Sequence, residues 1–119
     1  MYINSRYRQA LTKFRTSSHG LMIELGRHSP TPININERLC PFCNEIEDEI
    51  HFLINCPLYS TERHKLLRDI GVNINVLDIS DPIVLFCNLM SLTNQHHQEK
   101  LGEFIHHSFK KRKSYTECN

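Results

Sequence analysis

Residues 38–59 read RLCPFCNEIEDEIHFLINCPLY, and this run constrains the fold more than any other part of the chain. Its chemistry-bearing residues are spaced Cys40-x2-Cys43-x7-His51-x4-Cys56. Two thiols two residues apart can grip one ion from a tight turn, which Pro41 stiffens. Thiolates with a neutral imidazole suit zinc, which takes four such ligands tetrahedrally and has no redox chemistry of its own. Four protein ligands leave no open position, so the expected role is one structural Zn²⁺. Five residues on a regular helix advance the side-chain direction by about 140°. His51 and Cys56 would then diverge, so the helix carrying His51 must end or unwind before Cys56. Asn55 and Pro57 make a break there plausible.

Two other readings compete. Free cysteines are often small buried hydrophobes, and a CxxC pair can be a redox site. Three thiols and a histidine within 17 residues weigh against chance. A thioredoxin-like redox pair would also call for a βαβ setting, of which the sequence shows no sign.

Hydrophobic periodicity implies a mainly α, small helical domain, with the zinc knuckle inserted between helices. Ile3, Tyr7, Ala10, Leu11 and Phe14 mark one face of a first helix, and Asn4 or Ser5 can cap it. A short piece from His19 to Leu25 ends at Gly26, expected as a C-cap. Another helix starts at Pro57, with Tyr59, Leu66, Leu67 and Ile70 inward, and runs to Gly71. VNINVLDIS is a connection with room for a short strand, and Asp81-Pro82 starts a helix. IVLFCNLM is apolar nearly all round, which predicts a central helix with Cys87 in the core. A last helix, from Asn94 to Lys111, turns Leu101, Phe104, Ile105 and Phe109 inward. The expected organisation is a single α-rich domain over 1–113, the knuckle at 38–58, and a disordered tail at 114–119 that includes Cys118.

Charge is segregated. Residues 1–39 hold six Lys and Arg against two acidic residues, and residues 40–62 hold five acidic residues and no Lys or Arg. Arg6, Arg8, Lys13, Arg15 and Arg27, with Tyr2 and Tyr7, are candidates to contact phosphates and bases. A solvated helix face is the plainer alternative. On the contact reading, the acidic stretch 45–49 should face away. KKRK at 110–113 fits a nuclear address, a nucleic-acid patch or a charged helix end. The pairs His96-His97 and His106-His107 read as surface residues. No Ser-His-Asp set, phosphate loop or paired carboxylates emerges. No apolar run approaches the ~20 residues of a membrane span, and the N-terminus lacks a secretory core. The expected setting is a reducing compartment, nucleus or cytoplasm.

The run from Arg38 to Tyr59 resembles the zinc-binding segment C-terminal to the reverse transcriptase domain of non-LTR (LINE-type) retrotransposons. That family's pattern is Cys-Pro-x-Cys, an acidic spacer, Glu-His-Phe/Leu-Leu, then Cys-Pro. It falls here on Cys40, Pro41, Cys43, the acids from Glu45 to Glu49, His51, Phe52, Leu53, Cys56 and Pro57. Upstream, LTKFRTSSHGLMIELGRH is similar to the family's lead-in through Leu11, Arg15, Ser18 and His19. The likeness covers residues 6–70. It implies a zinc-binding, non-catalytic module that contacts RNA or DNA, single-stranded or structured. Fingers, palm, endonuclease and a Tyr-x-Asp-Asp-type pair have no counterpart, so the chain is expected to be a stand-alone derivative without polymerase activity. The alternative is a structural zinc module for protein–protein interaction.

Overall fold

The computed structural model describes residues 4–27, 30–71 and 81–118. Five α-helices occur among them: α1 (Ser5–Arg15), α2 (Met22–Leu25), α3 (Ser60–Asp69), α4 (Pro82–Met90) and α5 (Gln95–Cys118). The described residues form no strand, only one antiparallel bridge between Leu39 and Ile46. No described helix is long and apolar enough to cross a membrane. The segment 72–80, read as a connection with room for a short strand, lies outside the described residues, as does Tyr2.

α1 begins as its sequence dictates: Asn4 Oδ1 accepts from the Arg6 amide at 2.9 Å, satisfying one of the free N–H groups of the first turn. It buries Leu11 and Phe14 and lies along α5. The crossing depends on Gly102, where a Cβ would come within 2.5 Å of the Tyr7 carbonyl oxygen. α5 spans about 36 Å at 1.5 Å per residue. It buries Leu101, Phe104, Ile105 and Ser108 on one stripe, with Phe109 packed beside them.

Three expectations need correction. The tail at 114–119 is helical as far as Cys118, because α5 stays pinned beyond Lys111. Arg112 pairs with Glu47, and the Tyr115 ring meets Phe42 edge-on at 5.4 Å. α4 is peripheral rather than central. It buries Leu85 and Leu89 against the turn following His51, whereas Ile83 and Val84 are 61% and 51% exposed and Cys87 is exposed. α2 starts later than expected, at Met22, although it ends at Leu25 as expected, with Gly26 as its C-cap in right-handed φ −67°. Its lack of a side chain makes room for buried Arg38, whose Cγ would stand 2.7 Å from an added Cβ.

The cysteine-rich segment sits between helices, yet it also supplies the middle of the core. Phe52, next to His51, is fully buried. Its ring lies 4.6 Å from that of Phe109, 4.7 Å from Tyr59, 5.7 Å from Phe14 and 5.8 Å from Phe104. Leu53, Ile54, Cys40 and Cys56 belong to the same cluster. The cysteine-rich segment and the core are thus one packing unit.

Candidate metal centre

The first two thiols come from a tight hairpin. The Leu39–Ile46 bridge closes it, the Cys40 amide donates to Glu45 O at 2.7 Å, and the Asn44 amide donates to Cys40 O at 3.0 Å. Asn44 makes the bend at φ +60°, a left-handed conformation that asparagine tolerates better than most residues. Inside the turn the Phe42 amide points at Cys40 Sγ, 3.4 Å away.

His51 and Cys56 meet by a route that the spacing alone did not specify. As expected, the helix under-winds and ends before Cys56. Residues His51–Asn55 widen into a π-turn, and the Cys56 amide donates to His51 O at 2.7 Å. An i to i+5 bond brings the fifth residue back over the first, which removes the divergence of a regular helix. Cys56 is then extended, and Pro57 opens a 3₁₀ turn into α3. The carbonyls left at this junction are satisfied by Arg63, whose Nε donates to Leu53 O at 2.8 Å and Nη2 to Cys56 O at 2.9 Å.

The four ligand atoms all lie within 4.8 Å of one another. Cys43 Sγ is 3.5 Å and Cys40 Sγ 3.9 Å from Cys56 Sγ. A tetrahedron with metal–sulfur arms of about 2.3 Å has edges of about 3.8 Å, so these separations bracket that geometry and are far too long for disulfides. His51 Nε2 is buried without a hydrogen-bond partner among the described residues, and such an atom calls for a ligand. Nδ1, on the other side of the ring, faces Glu45 Oε2 at 3.7 Å. A carboxylate behind a ligating imidazole orients the ring and raises its basicity.

Protonation in the cluster is arranged the same way. The hydrogen bond from Cys56 pulls the Cys40 thiol well below its ordinary range despite the opposing burial. That bond and burial push Cys56 upward. The neighbouring Cys40 sulfur raises His51, against its desolvation. Burial pushes Cys43 up as well, so a cation held by all four residues would have to displace the protons of Cys43 and Cys56. The four residues fit one metal ion.

The acidic spacer, expected on the contact reading to face away, turns its carboxylates onto the protein's own groups. Asp48 Oδ1 accepts from the His51 amide at 2.8 Å. Glu49 accepts from His19 Nε2 at 2.6 Å, which lowers its pKa through that hydrogen bond. Glu47 is 1% exposed. Its Oε1 accepts from Arg112 Nη2 and from the Met22 amide, both at 2.7 Å, and its Oε2 from Arg112 Nε at 2.8 Å. The loop between the ligands therefore caps α2 and clamps α5. Sequence reasoning missed Arg63, Glu47 and Arg112 as supports of the site, since an acid in an acidic run and an arginine in KKRK both read as solvated. The lead-in histidine, His19, was the one legible signal. It docks on this loop and contacts the Phe14 and Phe109 rings.

His19, Glu24 and Glu49 also lie within 4.8 Å of one another. Their bonds are already spoken for: His19 with Glu49, His19 Nδ1 with the Leu21 amide at 3.3 Å, and Glu24 with Arg27 at 3.5 Å. The paired histidines lie outside both groups; His106 and His107 pack on Tyr7.

The candidate nucleic-acid residues do not converge. Arg6 and Lys13 share a groove with α5, and Arg8 is exposed outside it. Arg15 donates to Met90 O at 3.2 Å, and Arg27 pairs with Glu24. Comparison with protein-family models, curated proteins and solved structures finds no match to this chain.

Proposed function

We propose that Cys40, Cys43, His51 and Cys56 hold one structural Zn²⁺, and that the helical domain built on it is a non-catalytic module that contacts RNA or DNA. The carrying observation is the pair of sulfur separations, 3.5 and 3.9 Å, beside the orphaned His51 Nε2. Soft thiolates with one imidazole favour zinc over hard cations. All four positions are filled by protein, so the ion organises the fold rather than activating water. The motif's resemblance to retrotransposon zinc segments and the basic N-terminal region support the nucleic-acid part. X-ray absorption at the zinc edge tests the metal. Three sulfurs at about 2.3 Å and one nitrogen at about 2.0 Å are expected, and an all-oxygen shell would refute it. Binding of single-stranded oligonucleotides at low salt tests the partner.

A protein partner is the competing reading. Leu39, Phe42 and Ile46 stand exposed on the knuckle. Retained binding to a protein, with no oligonucleotide binding at 50 mM salt, would favour it.

A further inference from the structure

Several cations among the described residues are matched by carboxylates. Lys65, Arg68 and Lys100 share Asp69 and Glu103, Lys111 pairs with Glu62, and Arg112 with Glu47. Arg15, Arg38 and Arg63 donate to backbone carbonyls instead; Arg8 stands exposed, and among the described residues Arg6, Lys13 and Lys110 likewise have no carboxylate partner. These three face one groove between α1 and α5, and Lys113 joins them there. Its only carboxylate partner among the described residues is an exposed Glu117 at 4.0 Å. The groove measures about 460 Å³, and no carboxylate is among its described lining residues. Burial, followed by the charges of His107, Lys110 and Arg6, lowers the pKa of His106 on its wall.

We propose that this groove is the nucleotide cleft of the molecule. Arg6 and Lys13 from α1, with Lys110 and Lys113 from α5, hold the phosphodiester backbone of a single strand there, and bases reach the rings of His106 and Phe109. The proposal rests on the nucleic-acid reading above and narrows it. It moves the contact surface from the whole N-terminal basic region to a two-helix groove, half of it supplied by KKRK. Three features favour a nucleic acid over another polyanion. Three of the four cations have no carboxylate partner among the described residues and the fourth only the exposed Glu117, which suits phosphates that displace counterions. Ring edges lie beside them, and every base has a face to stack. The volume lies within the roughly 300–1,000 Å³ of small-molecule sites, enough for one or two bases of a strand whose backbone runs on past the four cations, and too small for a duplex. The α5 wall is held in place by the Arg112–Glu47 clamp, so the metal loop shapes the groove without touching the ligand.

The test is fluorescence anisotropy with the zinc-loaded full chain, using a labelled single-stranded RNA 12-mer and its duplex. Four phosphate contacts at about 0.7 each imply roughly 50-fold weakening between 50 and 200 mM salt. Lys110→Gln/Lys113→Gln or Arg6→Gln/Lys13→Gln should reduce that to about seven-fold. Arg8→Gln/Arg27→Gln, outside the groove, should leave it unchanged. Zinc content and circular dichroism check that each variant is folded. The single strand should bind at least about five-fold tighter than the duplex, the worth of one stacked base. Tight wild-type binding with a salt response unaltered in both groove variants overturns the groove and leaves the nucleic-acid reading standing. No wild-type binding at 50 mM salt overturns both. Groove-dependent binding of poly-glutamate or anionic vesicles, with none of RNA, overturns the nucleotide assignment.

Discussion

Glu47→Ala should be among the most damaging single changes outside the metal ligands. The side chain is 1% exposed and accepts three hydrogen bonds, two from Arg112 and one from the Met22 amide. Removing one partner of a buried ion pair costs about 3–5 kcal/mol, and an unsatisfied buried amide adds about 1–3 kcal/mol. Arg112 is 13% exposed, so its guanidinium can partly recover water, and the lower ends apply: about 4 kcal/mol in total. At roughly 4 °C per kcal/mol for a chain of this size, the melting temperature should fall by about 16 °C. Glu47→Gln keeps the shape and the acceptor for Met22 but gives up the charge, and should cost about half as much. Urea and thermal unfolding in the presence of zinc measure both, and a double-mutant cycle with Arg112→Met isolates the pair. The four ligands are untouched, so bound metal should persist. A loss below about 1 kcal/mol for Glu47→Ala, or no coupling in the cycle, would mean that the loop between the ligands does not clamp α5.

Gly102→Ala should destabilise by about 1–2 kcal/mol in thermal melts, because the clash with the Tyr7 carbonyl outweighs the gain in helix propensity; a rise in stability would show that α1 and α5 can separate freely. Burial works to raise the Glu103 carboxyl, but the hydrogen bond from Lys65 and the nearby Lys100 leave it below its ordinary 4.5. A depressed acid stabilises the fold above pH 4.5, and that contribution fades as the pH drops through the lower folded value. A carboxyl NMR titration should therefore place Glu103 below 4.5 in the wild type and higher in Lys65→Met. Cys87, exposed on α4, should react readily with a thiol reagent in the zinc-loaded native protein while buried Cys40 and Cys56 stay protected; Cys87→Ser should change stability by less than about 0.5 kcal/mol.

The ligands were legible because metal chemistry restricts both residue type and spacing, and Cys40, Cys43, His51 and Cys56 meet as the pattern requires. The inward faces of α3 and α5 followed from periodicity, and Leu66, Leu67, Leu101, Phe104 and Ile105 are buried accordingly. α4 was misplaced because an all-round apolar helix says nothing of what the rest of the chain offers to cover it. Glu47 and Arg112 were hidden by their neighbours: a charge inside a run of like charges reads as solvated, and only the fold shows which member turns inward. The π-turn was half visible. The five-residue step from His51 to Cys56 excluded a regular helix, but several backbone solutions satisfy that exclusion. The groove, too, was only half visible, since its α1 and α5 walls lie about 100 residues apart in sequence.

The most direct test of the metal site is the zinc content of freshly purified, reduced protein, measured against protein concentration beside Cys43→Ala and His51→Ala. One zinc per wild-type chain is expected, lost from both variants on dialysis, with amide protection of residues 38–58 and of the Phe52 cluster disappearing with it, since a structural ion contributes on the order of 10 kcal/mol to folding in small fingers. Metal-free wild-type protein that keeps native amide protection across 38–58 would contradict the account.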